Sequence, residues 1–419
     1  MQLSRMLGVM PVALVSVATM TASAQIIIPA NNLGTDGGFN PFQNTTVALG
    51  AAAVGSWQQA GDGRGVYDQE KWAVIYKYTS VSIPANVTVR FANHPSGAPV
   101  VWLVSGDVTI NGSIDLSGTN GSSFAGNPPG GPGGFSGGKG IPSPRSDGFG
   151  PGGGGQAGNN AGEGGGYGTF GVSQTAGEVG GYVYGTAELI PLMGGSGGGG
   201  SGETGNLAGG GGGGAILIVA TGRITVNGSI IANGGSASGG CCNSSGGGSG
   251  GGIRLVSDTL TGSTTGALSA VGGSTSSPGG FGRIRTEANV DSLPALGNPV
   301  RSRATVGTTA KLWPDASAPK VTAVSLGNKP LPSDPRGLFT FGNTDVELNS
   351  ATPAVLQINC ENVPLNATVQ VRIVPVTQNQ NETRIDATFQ SGSFTSSTWR
   401  ATLPISDGVS AFSVSVIMP

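Results

Sequence analysis

Two carboxylates two residues apart, Asp68 and Glu70, stand beside Lys71 and Trp72 and form the closest acidic pair of residues 25–290. On a strand, residues i and i+2 share a face. Such a pair is the minimum that general acid–base work on a glycosidic bond requires. Acids next to turns more commonly form a solvated loop or turn-capping pair. The other acids between residues 100 and 290 (Asp107, Asp115, Asp147, Glu163, Glu178, Glu188, Glu203, Asp258 and Glu287) form no i, i+2 pair. His94, the single histidine, sits in Asn93-His94-Pro95-Ser96-Gly97. One histidine without a nearby cysteine assembles neither a zinc site nor a His-activated nucleophile, so it reads as a turn residue.

Cys241 and Cys242 adjoin in a Gly/Ser loop, and Cys360 stands far from both. Adjacent Cα atoms lie about 3.8 Å apart, short of the usual disulfide span, so a vicinal Cys241–Cys242 disulfide is open to an oxidising compartment but strained. Asn31, Asn32 and Asp36 offer oxygens to a calcium ion, although turn chemistry explains the same residues. The glycine runs lack the Asp spacing of calcium-binding β-roll repeats and the Gly-Lys-Ser/Thr of phosphate loops. No cofactor is implied.

The scaffold behind these residues shows itself by repetition. Gly106–Gly118 reads GDVTINGSIDLSG and Gly222–Gly234 reads GRITVNGSIIANG, with Gly, Thr, Asn, Gly, Ser, Ile and Gly shared. VVWLV (Val100–Val104) and ILIVA (Ile216–Ala220) precede the two copies at the same offset, and degenerate copies start at Gly252 and Gly282. A short alternating unit recurring in a Gly-rich chain marks a stack in which neighbours bury what one unit cannot. Val108, Ile110, Ile114 and Leu116 take the inward face, as do Ile224, Val226, Ile230 and Ala232. Asn111-Gly112 and Asn227-Gly228 are expected at turns because both residues tolerate positive φ, and stacking could join the asparagines in a ladder. VVWLV and AILIVA are apolar at every position, which implies cover on both faces. The Gly-rich insertion, Thr119 to Gly214, is the leading candidate for that cover. It reads by composition as a flexible linker, yet glycine also permits close polyproline-II-like packing, and partial order against the stack is the expectation.

Glycine accounts for 79 of 419 residues, and 20 basic residues face 22 acidic ones. That balance offers no basic surface to nucleic acid. Residues 1–24 carry Arg5, an apolar run and Ala22-Ser23-Ala24, the pattern of a Sec-type signal peptide, and no later run is long enough to span a bilayer. The expected organisation is a β-rich cap segment at 25–99, a solenoid at 100–290 with its insertion at 119–214, a Pro-containing linker at 291–319, and a β-sandwich of immunoglobulin size at 320–419. Trp399 and Phe394 are expected in the core of that last module.

The series GSWQQAGDGRGVYDQEKWAVIYKY, APVVWLVSGDVTINGSI, ELIPLMGGSGGGG, GGGGGGAILIVATGRITVNGSIIANGG, GGGIRLVSDTLTG and GGFGRIRTE resembles secreted bacterial Gly-rich proteins of β-helix type. The resemblance covers most of the chain from residue 25 to about 290, and the C-terminal part is similar to the β-sandwich tail of such proteins. It implies export, a right-handed parallel β-helix and a bacterial source, and it brings no catalytic residues. The expectation is an all-β protein, a right-handed parallel β-helix with Gly-rich insertions plus an Ig-like sandwich. It would serve outside the cell or at its surface as a structural or adhesive protein without a catalytic site. Its partners would be glycans or other cell-surface or matrix components. The alternative is a polysaccharide-binding or polysaccharide-degrading protein with Asp68 and Glu70 as its site.

Overall fold

The structure is a computed structural model that describes residues 25–121, 126–140, 145–157, 160–202, 207–237, 244–294, 297–337, 339, 344–348, 353–376, 381–404 and 408–419. Residues 1–24, Cys241 and Cys242 lie outside the described residues. The described chain is all-β: a single 3-10 turn at Leu49–Ala51 is its only helical element.

Its centre is a set of parallel strands in continuous register. Val74 pairs with Val100, Val100 with Ile216, Ile216 with Ile253, and Ile253 with Ile284. A second parallel ladder carries Val89, Ile114, Ile230 and Leu268 in one column. Below the irregularity between Ala220 and Arg223, the longer strand also pairs Ile224 with Val108. All the inward positions predicted in the two repeat copies are buried in one cluster, with Trp102 among them. Parallel strands have no short hairpins to hold them, so their register depends on a column of apolar side chains that every rung repeats.

The stack reaches beyond its expected limits at both ends. Ala73–Tyr78, Ser80–Ile83 and Thr88–Ala92, assigned from sequence to a cap, are rungs of the ladders. Gly297–Asn298 and Ser302–Ala304, assigned to a linker, pair as the closing rungs. Proline spacing alone read as a linker because Pro294 and Pro299 fall between these short strands, where no ladder hydrogen bond is lost.

The outer face of the apolar runs is covered as their composition requires. Val101, Leu103, Leu217 and Val219 pack in a second cluster with Tyr167, Leu189 and Leu192 of the insertion. Ile26, Ile28, Ala310 and Leu312 share it, so the insertion supplies only part of the cover.

The Asn-Gly turns are built differently from expectation. Asn227 Nδ2 donates to Asn111 Oδ1 at 2.8 Å, which forms the ladder. Neither asparagine nor either glycine has a positive φ. Glycine is required instead by close approach: a Cβ on Gly228 would lie 1.8 Å from the Gly112 carbonyl oxygen.

The described parts of the insertion form a lattice of glycine backbones. In residues 209–214, the N–H groups of Gly209 and Gly212 donate to Gly138 and Phe135. Those of Gly210 and Gly213 donate to Gly246 and Ser249, and those of Gly211 and Gly214 to Thr119 and Leu116. Each direction recurs every third residue, the period of a polyproline-II strand, which has no internal hydrogen bonds and must find all its partners outside itself. The neighbouring segments follow the same rule. Gly195, Gly198 and Ser201 donate to Gly213, Gly210 and Leu207, while Gly247 and Gly250 donate to Ser277 and Gly280. Side chains would prevent this spacing: a Cβ on Gly246 would lie 1.7 Å from the Glu163 oxygen.

The C-terminal residues form a five-stranded and a three-stranded antiparallel sheet. Leu356, Ile358, Trp399 and Leu403 of the first meet Val369, Val371 and Ile373 of the second in one core. Trp399 is buried as expected, but Phe394 is 52% exposed, because it lies beyond the end of the Thr388–Ser393 strand.

Candidate functional site

Asp68 ends the strand Val66–Asp68, is buried, and accepts the Trp57 N–H at 2.8 Å and the Lys71 N–H at 3.0 Å. Glu70 lies exposed in the turn that follows. The two do not share a strand face, since the strand stops at Asp68; its carboxylate holds the turn together. His94 is buried against the Tyr67 ring, centroids 4.0 Å apart, and its Nδ1 accepts the Ser96 N–H. Burial lowers the His94 pKa, with Arg336 adding to the effect and Asp334 opposing it.

Asn31 and Asn32 bind Gln58, whereas Asp36 accepts the amides of Gly63 and Lys77. These three residues therefore fasten two different loops. Among the described residues no group of three or more His, Cys, Asp or Glu is arranged to hold a metal. Asp107 accepts the Arg223 N–H, and Asp115 pairs with Arg90. Both outward acids of the repeat are thus engaged in joining rungs.

The arrangement with most capacity to bind a ligand lies where the parallel stack begins. Tyr76 and Tyr78 occupy alternate positions of Ala73–Tyr78 and point inward together. Beneath them Trp102 pairs in register with Tyr76. Phe39 enters from Gly38–Phe39, the edge of its sheet, and Val47 from Thr45–Ala48, the edge of the other. The next strand, Val66–Asp68, pairs with this one only at Ala73 to Ile75, so Phe39, Val47, Tyr76 and Tyr78 border a cavity of about 290 Å³ whose rim is formed by Asp36, Ala48, Ala51, Gly63 and Arg64. The loop returning over it needs glycine: Gly65 has φ +79°, and a Cβ there would lie 3.0 Å from the Tyr76 ring.

Ring stacking shapes the wall. The Phe39 and Tyr78 centroids are 5.3 Å apart and those of Tyr76 and Tyr78 are 5.5 Å apart. Both tyrosine side chains are buried, and neither hydroxyl has a hydrogen-bond partner among the described residues. Burial, with the Asp36 carboxylate nearby, pushes both phenols well above their ordinary range, so they remain neutral. The site is equipped to bind by stacking and hydrogen bonding, and the groups that line it form no nucleophile–base pair.

A second polar constellation joins the C-terminal sheets to the glycine lattice. The Arg372 guanidinium donates to the carbonyls of Gly148 and Gly150 at 2.9 and 2.8 Å and pairs with Glu382. Asp147 accepts Arg145 at 2.7 Å and the Glu382 N–H at 2.6 Å. Phe135 and Phe149 pack with Val374 and Val376 alongside. These groups saturate one another and serve docking.

Sequence reasoning missed both constellations. The signal for the cavity was present: Tyr76 and Tyr78 alternate in the first full rung, where no earlier repeat exists to cover them. Comparison with protein-family models, curated proteins and solved structures finds no match.

Proposed function

We propose that this chain is an exported structural or adhesive protein of the type it resembles among secreted bacterial Gly-rich proteins. In this reading the parallel ladders wind as a right-handed β-helix, the glycine lattice braces one flank, and the C-terminal sheets form an immunoglobulin-like sandwich. The protein works outside the cell or at its surface through a stiff, broad surface. The observation that carries the reading is the lattice fused to the ladders: Gly214 donates to Leu116 of a rung, and Gly251 donates to Ala232 of the next. Backbone paired in this way resists local opening, and protease attack depends on such opening. The test is to recover the chain from its host and measure three things: the N-terminus by mass spectrometry, survival in trypsin and proteinase K, and retention on cell-surface and matrix coatings. An N-terminus at Gln25, intact bands after hours of protease, and retention against washing are expected. A chain kept in the cytoplasm, or one that is rapidly degraded and washes off every coating, refutes the proposal.

One observation favours the second reading, polysaccharide binding: the stacked aromatic cavity at the start of the ladders. It does not extend to degradation through Asp68 and Glu70, because the Asp68 carboxylate is committed to two backbone amides.

A further inference from the structure

We infer that the cavity bordered by Phe39, Tyr76 and Tyr78 is a binding site for one neutral pyranose ring, the terminal hexose of a glycan. Three features select that class. The inference rests on the second reading above, and the first feature is size: about 290 Å³ sits at the lower edge of small-molecule sites, which suits the single end ring of a glycan. The second is the wall, in which Phe39, Tyr78 and Tyr76 stack in succession and line the cavity with aromatic carbon that the C–H groups of a sugar can contact.

The third is polarity. The phenol hydroxyls of these two buried residues have no partner among the described residues and are not sealed from solvent, so they remain open to a ligand in the cavity. An apolar ligand would cover these hydroxyls and leave them without partners, whereas sugar hydroxyls would pair with them. Asp36 sets the charge. Its carboxylate stands at the rim with two amides bound and lone pairs remaining, so it accepts from a neutral hydroxyl and repels an acidic sugar. Arg64, also at the rim, is paired with Asp62, so it does not reverse this. Ala48 and Ala51, both exposed, form the mouth through which the rest of a glycan would leave.

Binding here is separate from the scaffold role, since export and protease resistance do not depend on it. The test uses the purified full chain and saturation-transfer NMR with the methyl glycosides of glucose, mannose and galactose. Methyl glucuronide and phenol serve as acidic and apolar probes. At least one neutral hexoside is expected to receive saturation at its ring C–H protons, with little transfer to the other two probes. Replacing both Tyr76→Phe and Tyr78→Phe removes only unpaired hydroxyls; it should weaken binding at least tenfold and leave the melting temperature unchanged. Ala51→Trp, at an exposed position, should abolish binding without unfolding the chain. The inference is overturned if no neutral hexoside binds, if phenol or the glucuronide binds better, or if Ala51→Trp binds like the parent.

Discussion

Replacing Gly210 with alanine probes the glycine lattice most directly. The new Cβ would lie 1.8 Å from the Gly235 carbonyl oxygen and 2.6 Å from its carbon. Ordinary contact requires more than 3.4 Å, so one strand must move by well over an ångström. Four hydrogen bonds depend on the present spacing: Gly210 to Gly246, Gly198 to Gly210, Gly235 to Gly211, and Gly248 to Gly235, at 2.7–3.0 Å. Leaving two buried amides unpaired costs about 1–3 kcal/mol each, and overpacking adds about 1–3 kcal/mol. The expected loss is therefore roughly 3–9 kcal/mol, or about 6 °C or more in melting temperature. Gly126→Ala is the control, because nothing lies within 4 Å of its Cβ and its φ is not positive. That change should be neutral or slightly stabilising, since alanine reduces the freedom of the unfolded chain. The assay is calorimetry on both variants and the parent. If Gly210→Ala melts within about 2 °C of Gly126→Ala, the lattice does not carry the rigidity attributed to it.

The remaining predictions concern docking and pH. Arg372→Ala leaves the Gly148 and Gly150 carbonyls without this donor and Glu382 with Arg384 alone, a loss of about 1–3 kcal/mol; it should split off an early melting transition belonging to the C-terminal sheets, and a single unchanged transition would refute this. Burial raises the Asp147 pKa while Arg145 pulls it back, so the folded chain binds a proton that the unfolded chain has released. Stability from this group therefore falls as pH rises from the ordinary carboxylate range through the raised value; Asp147→Asn should flatten that slope in melting temperature, and an unaltered slope would count against it. His94, depressed by burial, is held neutral when folded. Its contribution is complete above about pH 6.5 and is lost as pH falls through the lowered pKa; His94→Asn should remove the acid-side decline, and persistence of that decline would show that other groups cause it.

The parallel core was legible because it is written in side chains. Alternation identified Val108, Ile110, Ile114 and Leu116 as inward, and the unbroken run VVWLV showed that its strand is covered on both sides; these residues are buried as those patterns require. The lattice was legible only as a possibility. Successive glycines are identical, so nothing in residues 209–214 records that their amides point in three directions. Arg372 was hidden for another reason: strand alternation marks it as outward, but the partner it meets is a row of glycine carbonyls 222 and 224 residues away. The Asn-Gly turns were placed correctly with a different cause, contact distance in place of positive φ. The cavity was missed because an aromatic pair in a strand normally signifies core. Such a pair borders a cavity only near the end of the parallel ladder, and that end was drawn at Val100 instead of Ala73.

The three-residue period of the lattice also bears on how its genes can vary. Adding or deleting three glycines returns every downstream amide to the same direction, whereas adding one rotates each of them toward the wrong neighbour. The segments around residues 195–201, 209–214 and 246–251 should therefore change length in triplets. What fixes their registration is the few side chains threaded among them. Ser249 Oγ takes the Ser196 N–H, and Tyr184 Oη donates to the Gly194 oxygen. Such a lattice keeps time by counting, and its sparse serines and tyrosines mark the beat.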